Sequence, residues 1–242
     1  MKRAILAVST ALLGLAFAAP GFAGAIGDGN PVFALHVKAR AAKPTTICTT
    51  ENPQTTDCTT YSTSGELNTA YDLYLVVAGI DSTNIGDVAG ASCGIQYDNA
   101  DGSGVDVFQW TFCADGLEFK NGPDGGADWP ASGGGNRMTW TTCQNMISPG
   151  YTGSSIQVTF GAFYVFAYSP DRFTITPNNN LGSGPELTMG ACDASQVFLE
   201  NQWSAYADFG GGAGCNTCLQ PCPKDVPVQP TTWGSVKSLY KN

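Results

Sequence analysis

Turn residues punctuate this chain too often to leave room for a helical core. Clusters such as "NADGSG", "KNGPDGGADWPASGGGN", "SPGYTGS" and "TPNNNLGSGP" recur along it, drawn from 30 glycines and 14 prolines in 242 residues. Between them lie short β-rich runs: "YDLYLVVAGI", "VAGASCGIQY", "VDVFQWTFC", "NRMTWTTCQ", "SIQVTFGAFYVFAYS", "RFTITP" and "ELTMGAC". Strand-length runs at this spacing, closed by Gly, Pro and Asn, predict an all-β fold: an antiparallel β-sandwich of about nine strands. No long stretch repeats apolar residues every three to four positions. The run Ser155–Ser169 is long for one strand and is expected to bend at Gly161. In the strand starting at Val105, simple alternation puts Val107, Gln109 and Thr111 on one face and Phe108, Trp110 and Phe112 on the other.

The ends are of a different kind. Residues 1–23 have a basic start (Lys2, Arg3), an apolar run and small residues up to Ala23, the pattern of a secretory signal peptide. Residues 24–66 form an N-terminal strand and a Thr-rich disulfide loop. Residues 67–209 carry the sandwich, and "ASQVFLENQWSAYADF" is read as its last strand, with a short helix as the alternative. A Gly/Cys/Pro-rich linker follows over 210–230. Residues 231–242 suit a short C-terminal helix capped by Thr231 or Thr232, with Trp233, Val236, Leu239 and Tyr240 on one side.

An exported chain keeps its cysteines oxidised by default. All nine (Cys48, Cys58, Cys93, Cys113, Cys143, Cys192, Cys215, Cys218, Cys222) lie beyond the leader. The Thr-rich loop is expected to close on a Cys48–Cys58 bridge. An odd total leaves one cysteine over, free or shared between chains, and the cluster "CNTCLQPC" is its expected place. The spacing there is ligand-like, but the chain has one histidine. That residue, His36, alternates with apolar residues in "PVFALHVKAR" and is expected to point outward into solvent. The formal charge of −9 becomes more negative once Lys2 and Arg3 leave. Such a chain repels phosphate backbones and anionic lipid heads, which argues against nucleic-acid binding and against membrane insertion after leader cleavage.

Specific chemistry is sparse. Asn99, Asp101 and Ser103, with Asp106 nearby, imitate the first half of a calcium loop. The second half fails, because Trp110 stands where a bidentate Glu belongs, so Asp98 or Asp106 would have to substitute. The turn is read as a hairpin bend, with calcium as the alternative and no other cofactor. Asp115, Glu118 and Glu186 are nameable carboxylates for glycoside hydrolysis, but no G-x-S-x-G motif is present. Aromatic residues make the better case. Trp110, Trp129, Trp140, Tyr151, Tyr164, Tyr168 and Trp203 lie on or near strands and loops. Trp110 and Trp140 suit the core. Trp129 in its Gly-rich loop, Tyr151 and Trp203 are the ligand-binding candidates, since exposed rings stack on sugars or anchor protein interfaces.

The stretches "YDLYLVVAG", "GASCGIQYD", "FQWTFCADGLEF", "WPASGGGNRMTW" and "GAFYVFAYSPDRFTITP", with the closing "VPVQPTTWGSVKSLYKN", resemble a group of uncharacterised exported bacterial β-sandwich proteins. More distantly, "VAGASCGIQYD" and the late strand "GAFYVFAYS" are similar to cohesin-type and carbohydrate-binding-module-like sandwiches. That resemblance implies a nine-stranded, jelly-roll-like sandwich binding partners through one sheet face. The many cysteines depart from the cohesin pattern, and no partner-recognition residues carry over. The expected function is a secreted, non-enzymatic binding or structural module of the cell envelope or extracellular matrix. Its partner would be a glycan or a protein, with an intermolecular disulfide as one mode of attachment. A secreted or periplasmic carbohydrate-active hydrolase and a calcium-stabilised adhesin are the alternatives.

Overall fold

The computed structural model describes residues 31–40, 47–49, 52–81, 87–98, 100–121, 128–145, 155–179, 181 and 184–223. The signal peptide and the C-terminal helix lie outside the described residues, as do Asn99 and Tyr151. Twelve strands are present among the described residues: β1 (Val32–Ala39), β2 (Ser64–Gly65), β3 (Thr69–Asp81), β4 (Val88–Gln96), β5 (Val105–Phe112), β6 (Gly116–Asn121), β7 (Gly135–Gln144), β8 (Ser155–Ala167), β9 (Asp171–Thr176), β10 (Thr188–Ala191), β11 (Gln196–Phe198) and β12 (Tyr206–Phe209). The count exceeds nine for three reasons. β2 is two residues long, β6 ("GLEFKN") lacks a β-branched run, and the last predicted strand breaks into β11 and β12 at a 3-10 turn over Asn201–Trp203.

One sheet has the order β1-β3-β8-β5, all antiparallel. The other has eight strands. In it, β4 pairs with β7 along one edge and with β10 and then β9 along the other, while β6 extends β7. β12 continues from β9 and pairs in parallel with β2. The interior lies between the sheets. Phe163 sits at its centre, with ring centroids 4.5 Å from Trp110, 5.2 Å from Trp129 and 5.0 Å from Phe173. Trp110 and Trp140 pack against this core, the latter 4.2 Å from Phe160. Trp129, expected at the surface, is 4 % exposed. Its loop folds tightly (Ala131 N–H to Asp128 O, 2.7 Å; Gly134 N–H to Ala131 O, 2.9 Å) and turns the indole inward against Trp110 and Phe163.

Bulges reset strand faces. Across β5 the register steps from Val107↔Val165 to Gln109↔Tyr164, so Phe108 is the extra residue. Consequently Val107, Trp110 and Phe112 pack on the core while Phe108 and Gln109 are exposed, which corrects the simple alternation. In β8 the step between Leu75↔Gly161 and Val76↔Thr159 lies at the expected bend. A Cβ on Gly161 would lie 2.4 Å from Thr111 O and 2.6 Å from the Trp110 ring, so only glycine lets that indole cross the strand.

β3 is apolar on both faces because both are covered. Leu73, Leu75 and Val77 face the sandwich interior. Tyr74, Val76 and Ala78 join Val32, Ala34, Ala162, Tyr61, Cys58 and Cys218 in a second buried cluster on the outer face. The lid over this cluster is the Thr-rich segment, so the expected loop is a packed cap. Gln157, buried beneath it, donates from Nε2 to the carbonyls of Pro53 (3.2 Å), Gln54 (3.1 Å) and Thr56 (2.8 Å).

The disulfides pin this arrangement, and the expected Cys48–Cys58 bridge does not form. Cys48 pairs with Cys113 at the end of β5, and Cys58 pairs with Cys218. Cys143–Cys192 ties β7 to the end of β10, and Cys215–Cys222 closes a short loop. The described part of the segment read as a linker is thus docked as far as Cys222. Asn216 Nδ2 donates to Cys58 O (2.8 Å), Thr217 Oγ1 to Phe33 O (2.8 Å) and the Cys222 N–H to Gln202 O (2.7 Å). The unpaired cysteine is Cys93, fully buried in the core, and not a member of the C-terminal cluster. Burial pushes its thiol above the usual range, and no thiol is left at the surface for an inter-chain bridge.

His36 does lie on the outer face, but the cap covers it. Its ring is 4.7 Å from Tyr61, and Nδ1 accepts a hydrogen bond from Ser62 N–H at 3.2 Å. Burial, and secondarily the charge of Lys38, lowers its pKa from 6.5 to about 4. Between those values the unfolded chain holds a proton that the native state does not. Stability from this site is therefore complete above the upper value and falls as pH drops toward the lower one, by on the order of 2 kcal/mol. Denaturant midpoints at about pH 7 and about pH 5 should differ by more in the wild type than in His36→Gln, which has no imidazole to charge.

Candidate functional site

The cap covers only part of the four-stranded sheet's outer face. Past it, along β8, Phe163, Val165 and Ala167 face the core, while Tyr164, Phe166 and Tyr168 face out. By register, Tyr164 lies between Asp72 of β3 and Gln109 of β5, and Phe166 between Ala70 and Asp106. The bulged Phe108 brings its ring to 5.2 Å from Tyr164, tilted 39°, and Phe166 and Tyr168 meet at 4.6 Å, tilted 50°. Phe108 is 54 % exposed and Tyr168 40 %. A strip of four aromatic rings therefore runs along the β5–β8 side of this face.

A cation stiffens it. Arg40 follows β1, anchored by its N–H to Ala70 O at 2.9 Å. Its guanidinium lies 3.9 Å from the centre of the Tyr164 ring, and Nη1 donates to Asp72 Oδ1 at 2.7 Å. The Asp72 side chain is 5 % exposed, so Arg40 is held between a buried carboxylate and the face of the Tyr164 ring.

At one end the strip meets the acidic turn between β4 and β5. A cleft of about 120 Å³ is lined there by Tyr97, Asp101, Asp106, Val107 and Phe108. Carboxylates organise the turn's backbone: Asp171 Oδ2, at the start of β9, accepts from the N–H groups of Asp98 (3.0 Å) and Val105 (3.1 Å), and Asp106 Oδ2 from Gly102 N–H (3.1 Å). Ser103 Oγ donates to Asp98 Oδ2 at 3.2 Å. Of the calcium candidates, Asp101 and Asp106 line the cleft and Ser103 turns to Asp98. Among the described residues no three His, Cys, Asp or Glu side chains gather as a metal site. Burial, with the charges of Asp106 and Asp171 adding to it, raises Tyr97 to about 12, so it stays a neutral phenol, donating to Pro130 O at 3.1 Å.

The nameable carboxylates are engaged separately. Glu118 Oε1 accepts from Trp110 Nε1 (2.6 Å) and Asn136 Nδ2 (2.7 Å), joining the two sheets at their open side. Glu186 pairs with Arg137 at 2.8 Å, and Asp115 is exposed. Trp203 is partly buried beside the second cluster. It lines a notch with Pro31, Val197, Phe198, Leu199 and Glu200. Sequence reasoning named Tyr164 and Tyr168 but not Phe108, Phe166 or Arg40. The signal was the alternation within "FYVFAY", which sets aromatic residues on both faces of β8.

No protein-family model matches the chain. No curated protein matches it in sequence. Among solved structures it is similar to the cohesin module of a family 33 glycoside hydrolase from Clostridium perfringens ATCC13124, with a TM-score of 0.39 and 11 % identity over 75 % of this chain and 98 % of that one. It is also similar to a type II cohesin domain from the cellulosome of Acetivibrio cellulolyticus, with a TM-score of 0.34 and 9 % identity over 66 % of this chain and 92 % of that one. The chain is distantly similar to cohesin modules.

Proposed function

We propose that this chain is a non-catalytic, extracytoplasmic module that binds a protein partner through the strip Phe108–Tyr164–Phe166–Tyr168. The observation that carries this reading is the strip itself: four clustered rings, two of them more than a third exposed, beside an arginine already fixed by Asp72. Tyr, Phe and Arg are the residues enriched where protein interfaces bury their anchors. The rings tilt against one another by 39° and 50°, so they form no single flat platform of the kind a sugar face stacks on. Four disulfides and the leader-like residues 1–23 support the extracytoplasmic part of this reading.

The test uses the mature chain and its Phe108→Ser/Tyr168→Ser variant, immobilised and exposed to the secreted proteins of the source organism. Both replaced rings are exposed, so the variant should melt with the wild type. A partner retained by the wild type should bind the variant at least tenfold more weakly. Equal retention of that partner contradicts the proposal. Strip-dependent retention of the wild type on insoluble polysaccharide, with no protein partner, would reassign the strip to glycan.

A further inference from the structure

The two sides of the sandwich are finished differently. On the β1 side, the edge is sealed by the Ala205 N–H and the Thr217 hydroxyl, both bonded to Phe33 O, and by the Val37 N–H bonded to Ser62 O. On the other side β6 pairs with β7 alone, and among the described residues no strand lies along its second edge. An unpaired edge offers a row of backbone donors and acceptors to another strand, and proteins usually blunt it with proline, a bulge or inward charge. "GLEFKN" has no proline and its register with β7 runs unbroken over six pairs; its inward charge, Glu118, is already held by Trp110 and Asn136, and on the opposite face Leu117 and Phe119 are 62 % and 50 % exposed.

We infer that β6 pairs antiparallel with β6 of a second copy, about a two-fold axis at Phe119. The order of the residues selects this occupant and this register. With the axis at Phe119, Glu118 faces Lys120 of the copy and Lys120 faces its Glu118, while the two Phe119 rings meet on the opposite face. Shifting the axis to Glu118 sets carboxylate against carboxylate, and a parallel arrangement aligns like charges, both unfavourable between directly opposed residues. Glu118 is prepared for the part: Trp110 and Asn136 occupy Oε1, which leaves Oε2, now 3.2 Å from its own Lys120, to be shared with the lysine of the copy. The contact is isologous and closes at two chains. The face carrying Phe119 already extends by register through Arg137, Ser92 and Thr188 to Phe198, so pairing would join two such rows into one continuous sheet surface. This inference does not draw on the aromatic strip.

Sedimentation velocity of the mature chain from about 1 to about 500 µM decides it, a range suited to a small interface. The expected result is a reversible monomer–dimer equilibrium, with Lys120→Glu raising the dissociation constant at least tenfold by opposing four carboxylates. Phe119→Thr, which keeps strand propensity and removes the ring pair, should weaken the dimer in the same direction and serves if Lys120→Glu lowers the melting temperature. A wild type that stays monomeric throughout, or a dimer indifferent to both substitutions, overturns the inference.

Discussion

Replacing Cys58 and Cys218 together by alanine should cost the protein more stability than removing any other bridge. The bridge spans 160 residues of sequence, against 65, 49 and 7 for the others. In the chain-entropy model that difference makes it worth about 5 kcal/mol, compared with about 2 kcal/mol for Cys215–Cys222. The loss has a structural signature as well. Cys58 and Cys218 belong to the cluster that holds the cap on the four-stranded sheet, so its release should return His36 toward the titration of an exposed imidazole. Urea unfolding and the His36 proton resonances, followed in parallel, would report both effects. If the Cys215/Cys222 pair proves the costlier one to remove, the cap is not held as described.

Trp129→Ala is expected to be nearly as damaging. Its buried indole packs against both Trp110 and Phe163, and emptying such a site costs about 3–5 kcal/mol. Trp129→Phe separates packing from polarity. The indole Nε1 is buried and has no hydrogen-bond partner among the described residues, so phenylalanine keeps much of the ring and removes an unsatisfied donor. Thermal or denaturant unfolding should therefore rank the wild type and Trp129→Phe close together and Trp129→Ala far below. A Trp129→Ala protein of native stability would mean that the ring is not in the core.

Much of this architecture was legible because strand periodicity and turn chemistry are local. The alternation in "VFALHVKA" and the bend near Gly161 are both realised. What stayed hidden depends on contacts far apart in sequence. Nothing near Phe108 announces a bulge, yet that one residue exchanges the faces of β5 and puts a phenylalanine on the surface. The Thr-rich segment has no apolar period of its own. It is held down by Gln157 and Cys218, about 100 and 160 residues away. The same distance misled the pairing of Cys48 with Cys58, where proximity in sequence stood in for proximity in space. Trp129 looked exposed because its segment is rich in glycine, but Gly133 and Gly134 serve the tight turn that follows it. The strip was half visible: Tyr164 and Tyr168 alternate with core residues, whereas Arg40 joins them only through the buried Asp72.

Non-reducing peptide mapping, with thiol alkylation before and after denaturation, bears most directly on the idea that cross-links fasten a cap and a C-terminal segment over one sheet. It should recover Cys48–Cys113, Cys58–Cys218, Cys143–Cys192 and Cys215–Cys222, and label Cys93 alone, only once the chain is unfolded. A Cys48–Cys58 peptide, or a thiol among Cys215, Cys218 and Cys222 that reacts in the native protein, would contradict it.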